Sequence, residues 1–326
     1  MKTLPITALE NGTDERLARI ALTLFSEPAD PTTGVLIAIY GASRTAQIAL
    51  GVEDGREPDA DMVARFREQV TARVKGVQLD QVLRATERIG AQVLIPGDPE
   101  WPEGLADLGI YEPIALWARG NPELLTQPIA RRIAMVGARA ATGYGEHVAM
   151  ELATVLVERV YMIVSGAAYG IDGMAHRATL AADGDTIAVL AGGVDRFYPP
   201  GHDTLLQRIA EEGLVISELP PGRPATRWRF LQRNRIIASI SAATVVVEAG
   251  WRSGSLNTAG HARALGRKLA AVPGPVTSAA SAGCHRLIRD FDAALVTDAD
   301  DVRNLLAQPR PQRPEDTGTS EDGGLR

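Results

Sequence analysis

The chain has 326 residues, 34 basic and 40 acidic, with a formal net charge of −6 and a pI near 5.5. One cysteine excludes a disulfide framework and points to a reducing, cytoplasmic compartment. The first residues hold no apolar h-region and no apolar run approaches ~20 residues, so neither a secretory signal nor a membrane partner is expected.

An acidic total argues against a globally basic nucleic-acid binder, but the charge is unevenly placed. Residues 1–127 carry 12 basic and 19 acidic groups, whereas residues 128–308 carry 19 and 17. Nearly all of the positive charge is arginine, the side chain suited to bidentate phosphate contacts; Lys2, Lys75 and Lys268 are the three lysines.

In chain order, residues 1–90 read as a small helical module. Leu17, Ile20, Ala21 and Leu24 recur at helical spacing, as do Met62, Phe66, Val70 and Val74. Residues 91–128 form a Pro/Gly-punctuated connector holding Trp101 and Trp117, expected to pack along the following domain. Residues 129–308 alternate strand and helix. Strands are predicted at Arg132–Val136, Tyr161–Val164, Thr186–Leu190, Leu214–Ser217, Thr244–Glu248 and Lys268–Val272. Helices are predicted at Tyr144–Glu158, Gly170–Ala182, Asp203–Glu212, Phe230–Ser241 and Ser255–Gly266. The alternation predicts an α/β, mostly parallel sheet with helices on both faces. Residues 309–326 read as a disordered tail.

Ligands of such sheets bind beyond the carboxyl ends of the strands. Four predicted strand ends carry glycine-rich turns: Gly137 to Gly145 with Arg139, Ser165-Gly166 to Asp172, Gly192-Gly193, and Gly250 to Ser253-Gly254-Ser255. Bare N–H groups at such turns, beside a helix N-terminus and an arginine, suit phosphate. None is a GxGxxG or a GxxxxGK[ST] motif, which disfavours a dinucleotide cofactor and P-loop ATP hydrolysis. Asp172 reads as a cap or turn residue ahead of a ligand contact. The segment Gly222–Arg235 holds five arginines, and no carboxylate occurs between Glu218 and Glu248. Trp228 and Phe230 interleave with these charges, a pattern for single-stranded nucleic acid in which cations meet phosphates and rings stack on bases. His176 reads as a packing residue, Cys284 as a buried thiol, and the five histidines show no metal-ligand spacing.

On these motifs the chain resembles the DNA-processing protein A (DprA/Smf) family. The resemblance rests on Val136-Gly137-Ala138-Arg139 with Thr142-Gly143-Tyr144-Gly145, and on Ser165-Gly166 with Gly170-Ile171-Asp172. Arg233-Asn234-Arg235-Ile236-Ile237 and Ser253-Gly254-Ser255-Leu256 are its most specific elements. It implies an extended Rossmann-like fold behind a small helical (SAM-like) module, usually as a homodimer. It implies a non-enzymatic protein, without cofactor or metal, that binds single-stranded DNA and helps load the RecA recombinase during natural transformation. By motif, Arg139 and the Arg233/Arg235 region with Asn234 would line a phosphate pocket. Gly137 and the Ser165-Gly166 and Ser253-Gly254-Ser255 turns would supply donors, and Trp228 and Phe230 would stack on bases. Tyr169 stands where the family often has arginine, the module lacks a clear Gly-Val-Gly hairpin, and no winged-helix domain is expected after residue 308. The alternative is a nucleotide-binding sensor or nucleoside-monophosphate phosphoribohydrolase of a related Rossmann-like type, with Glu248 as acid/base.

Overall fold

The computed structural model describes residues 9, 14–52, 60–76 and 78–309. Residues 310–326, to which most of the expected tail belongs, lie outside them. From residue 14 on, the described N-terminal residues form α1 (Glu15–Phe25), α2 (Pro31–Tyr40), α3 (Ala42–Leu50), α4 (Ala60–Lys75) and α5 (Leu79–Arg88). Asp14 and Asp30 cap α1 and α2, their carboxylates accepting the N–H groups of Leu17 and Thr33 at 3.0 Å. The predicted apolar stripes point inward: Leu17, Ile20, Leu24, Phe66 and Val70 are buried.

Nine strands then form one sheet among the described residues: β1 (Gln92–Leu94), β2 (Leu116–Gly120), β3 (Arg132–Val136), β4 (Met162–Ser165), β5 (Thr186–Val189), β6 (Leu214–Ser217), β7 (Ala243–Val246), β8 (Lys268–Ala271) and β9 (Ala294–Leu295). Their spatial order is β1-β2-β6-β5-β4-β3-β7-β8-β9. Every pairing from β6 to β9 is parallel, and β1 and β2 add an antiparallel edge. The architecture is therefore the expected Rossmann-like one, enlarged by three short strands that periodicity does not predict. β1 and β2 lie within the stretch read as a connector because proline and glycine punctuate it.

The helices α6 (Gly143–Glu158), α7 (Ile171–Ala181), α8 (Asp203–Glu212), α9 (Arg227–Ser239), α10 (Ser255–Ala264), α11 (Ala282–Asp290) and α12 (Ala299–Ala307) complete the fold. One sheet face packs Ile133, Met135, Ile163 and Val245 against α6, α7 and α12. The other packs Val136, Val164, Val189 and Val246 against α9, α10 and α11. The N-terminal helices share an apolar cluster with Trp117, Ala188, Leu190 and Val215. Trp117 is fully buried there and its indole N–H donates to the Thr86 hydroxyl at 3.1 Å.

The strand order runs β3-β4-β5-β6 one way from the centre and β7-β8-β9 the other. The turns after β3 and β7 therefore diverge and leave a crevice between them, the topological switch point of an open α/β sheet.

Candidate nucleic-acid interface

A cleft of about 1040 Å³ opens at that switch point, lined by the turns after β3 and β7 and by α9 and α10. Its floor is built by close backbone approach. At Gly137 a Cβ would sit 2.5 Å from the Ile171 side chain and 2.9 Å from the Glu248 carbonyl, so only glycine lets the β3 turn lie against α7 and β7. Asp172, in the first turn of α7, ties this floor together. Its carboxylate accepts the N–H groups of Gly137 (3.4 Å), Gly166 (3.2 Å) and Ala168 (3.5 Å). Burial pushes its pKa up, against the opposing pull of Arg233 and of those N–H groups. Asp172 is therefore the turn residue that the sequence points to.

Arg233 lies across Gly166, where an added Cβ would come within 2.1 Å of Nη1. Its guanidinium donates to the Val189 carbonyl at the end of β5. Burial lowers its pKa to about 10, with Asp172 opposing and Arg139 reinforcing the shift. Arg139, by contrast, is exposed, and its guanidinium carbon stands 4.7 Å from the centroid of the Phe230 ring. Arg233 is 5.9 Å from the same centroid, and Tyr198 packs against Phe230 at 5.5 Å. Phe230 is thus a half-buried ring with two cations on it and a second ring beside it.

Across the cleft, α10 starts at Gly254 without a side-chain cap. The Ser253 and Ser255 hydroxyls bond each other at 2.8 Å instead. Asn234 holds this turn, its amide donating to Asn257 Oδ1 (3.1 Å) and to the Gly254 carbonyl (3.4 Å). Exposed Arg227 and Arg252 complete the lining. Among the described residues, neither they nor Arg139 meets a carboxylate, and Asp172 is the sole carboxylate facing the cleft. Four arginines against one carboxylate give the cleft a positive field.

The cleft thus gathers Gly137, Arg139, Phe230, Arg233, Asn234, Ser253, Gly254 and Ser255. Four expected site residues stand apart from its lining. Gly166 supports Arg233 from behind. The Ser165 hydroxyl is buried and donates to the Met135 carbonyl at 2.6 Å, so it is no free donor. Trp228 is exposed outside the cleft. Arg235 is 2% exposed and forms a bidentate pair with Glu218, both contacts at 2.6 Å. Its Nε donates to the Tyr111 carbonyl at 2.8 Å. Arg235 locks α9 to the strand-end turn after β6 rather than lining a phosphate pocket, a correction to the expectation from sequence.

Two more arginines of the basic segment also face inward. Arg229 pairs with Glu27 of the N-terminal module at 3.0 and 3.1 Å, and Arg223 donates to the Leu24 carbonyl at 2.9 Å. The carboxylates that partner this segment lie outside it, Glu218 just before it and Glu27 202 residues from Arg229, so the composition of the segment itself does not show them. The residues that sequence reasoning misses are Arg227, Arg252 and Tyr198. Arg252 directly precedes the Ser-Gly-Ser turn, which is the one signal that could have found it.

Glu248 accepts the Thr142 N–H (2.8 Å) and hydroxyl (2.7 Å) with its two carboxylate oxygens, and it does not line the cleft. It braces the first turn of α6 and is not placed to act as an acid or base on a ligand there. Among the described residues, no three of His, Cys, Asp or Glu are grouped to hold a metal ion. Nor, among the described residues, is any helix long and apolar enough to cross a membrane.

A Rossmann-like α/β domain thus carries a cationic, aromatic-lined cleft at its switch point. Residues 92–307 match the family model for DNA recombination-mediator protein A, and the chain belongs to that family. The putative DNA processing protein DprA of Mycobacterium tuberculosis is 54% identical over 242 residues, 69% of this chain and 62% of that protein. The chain therefore matches less than two thirds of that relative's length. DprA of Bacillus subtilis is 36% identical over 239 residues, 73% of this chain and 79% of that protein. The X-ray structure of DprA from Streptococcus pneumoniae superposes with a TM-score of 0.73 at 29% identity, covering 89% of this chain and 97% of that one. A Helicobacter pylori DprA structure, described for its unique single-stranded DNA binding mode, gives a TM-score of 0.60 at 27% identity over 66% of this chain and 95% of that one.

Proposed function

We propose that the protein is a single-stranded DNA-binding recombination mediator that performs no chemistry on the strand. In this reading it protects incoming DNA and loads RecA recombinase during natural transformation, as a cytoplasmic homodimer. The observation that carries the DNA-binding core is the Arg139–Phe230 pair, set between exposed Arg227 and Arg252 at the switch-point cleft. A half-exposed ring with guanidinium groups around it offers a stacking face for any base, and the cations neutralise flanking phosphates. Recognition of this kind reads no base edges, so it is tolerant of sequence and sensitive to salt. Membership in the recombination-mediator family and the single-stranded DNA binding of the Helicobacter pylori relative support the same assignment.

A mobility shift with single-stranded DNA, duplex DNA and RNA of equal length, at two salt concentrations, tests it. Single-stranded DNA is expected to bind best and to weaken with salt. A duplex preference, or salt-independent binding, would refute the reading. A pull-down of RecA on single-stranded DNA, with and without the protein, tests the loading step.

A further inference from the structure

A second groove, of about 750 Å³, lies beside the cleft, between α4 and α5 of the N-terminal module and the loop after β6. Its walls carry Arg73, Arg84, Arg88 and Arg223, against one carboxylate, Asp195. That carboxylate is already engaged, accepting the Gly222 N–H at 2.9 Å. Arg84 and Arg88 sit one turn apart on α5, so both point to the same side of the helix. Both are exposed and neither has a partner among the described residues. The groove holds no aromatic ring, so it has nothing for a base to stack on and much for a phosphodiester backbone to meet.

The groove and the cleft are neighbours, because the same two loops divide them. Asp195 and Arg223 face the groove, while Tyr198 and Ala225 face the cleft. Arg223 and Ala225 are two residues apart, so their Cα atoms are within about 7 Å. The module wall is fixed in place: Glu27 accepts from Arg229 and from Arg73 (3.1 Å) at once, tying α9 to α4.

We propose that a single strand held in the cleft continues over these two loops into the second groove, where Arg84 and Arg88 neutralise the phosphates of the flanking nucleotides. This extends the single-stranded DNA reading of the cleft and rests on it. The N-terminal module then serves as a wall of the DNA track, and it contributes to affinity only for strands long enough to reach it.

The test uses the full chain and two oligonucleotides, about 5 and about 20 nucleotides long, one near the lower end of usual site sizes and one beyond the upper end. In the Arg84→Glu/Arg88→Glu variant, short-strand affinity is expected to stay unchanged and long-strand affinity to fall about tenfold. The slope of log affinity against log salt should shrink by about 1.4 for the two lost phosphates. Arg177→Glu, an exposed reversal on α7 away from both grooves, controls for charge reversal elsewhere on the surface and is expected to leave both affinities unchanged. Unaltered long-strand affinity and slope in the double variant, with the short strand still bound, would overturn the second groove and leave the cleft reading standing. Failure of Arg139→Glu to weaken either strand would overturn the cleft reading, and the extension with it.

Discussion

Arg139 and Arg235 are equally basic in sequence and opposite in role. Arg139 is exposed over Phe230, whereas both guanidinium ends of Arg235 are spent on Glu218. Charge reversal at Arg139 is expected to weaken DNA binding while leaving the unfolding free energy within about 0.5 kcal/mol of wild type. Arg235→Glu would face buried Glu218 with a like charge and cost about 3–5 kcal/mol of stability. The matched pair Arg235→Met/Glu218→Met should recover most of that loss and keep DNA affinity, measured by chemical denaturation and anisotropy. Loss of affinity in the folded Met pair would place Arg235 in the site after all. Gly166→Ala forces Arg233 off the floor of the cleft and is expected to cost about 1–3 kcal/mol, through the hydrogen bond it displaces. Glycine-rich turns, Arg139, Phe230 and Ser253–Ser255 were legible at this scale because local motifs encode them. The burial of Arg229, Arg233 and Arg235 was not, because Glu27, Glu218 and the Val189 carbonyl reach them only through tertiary contact.

Helix α9 shows how an element can hide its own start. Periodicity predicts Phe230 as the first residue, but α9 begins at Arg227, with Thr226 as its cap accepting from the Arg229 N–H at 3.3 Å. Arginine in a first helical turn opposes the helix dipole. Here Glu27 of the module supplies the negative charge that the first turn lacks, so the helix can start early only in the folded molecule. That makes the Arg229–Glu27 pair a joint between module and sheet. Arg229→Ala is expected to cost about 1–3 kcal/mol. The Arg229→Ala/Glu27→Ala double-mutant cycle should return a coupling of about 1 kcal/mol, with faster proteolysis of the module in each single variant. Strict additivity would show that the joint contributes nothing. The sheet-forming elements between residues 129 and 308 were legible from alternation, most within one or two residues of their ends. β1, β2 and β9 were not: β1 and β2 sit in a Pro/Gly-punctuated stretch, β9 is two residues long, and the sheet they extend decides their placement.

For the whole molecule, the net charge of −6 is a poor guide to its partner, since the acid excess sits in the N-terminal 127 residues and the cleft holds exposed arginines. Stability should depend on pH through His176, a fully buried ring whose Nδ1 bonds the Thr186 hydroxyl at 2.7 Å and whose Nε2 has no partner among the described residues. Burial, with His202 and Arg233 nearby, pushes its pKa down to about 3. The unfolded chain takes up this proton near pH 6.5 and the folded one does not, so stability falls as pH drops from about 6.5 toward 3. The slope from this ring approaches about 1.4 kcal/mol per pH unit and vanishes above pH 6.5, where it is neutral in both states. His176→Gln should flatten the stability profile between about pH 5 and 6.5, read by denaturation; an unchanged slope would mean that the ring takes up its proton while folded. The cleft itself is tested by the affinity of wild type and Arg139→Glu for single-stranded DNA at about 50 and about 200 mM salt. Tight, salt-sensitive, sequence-tolerant binding is expected of the wild type, and of the variant weaker binding for every sequence with a salt slope reduced by about 0.7. Binding that ignores salt, or that Arg139→Glu leaves unchanged, would rule out the cleft as the DNA site.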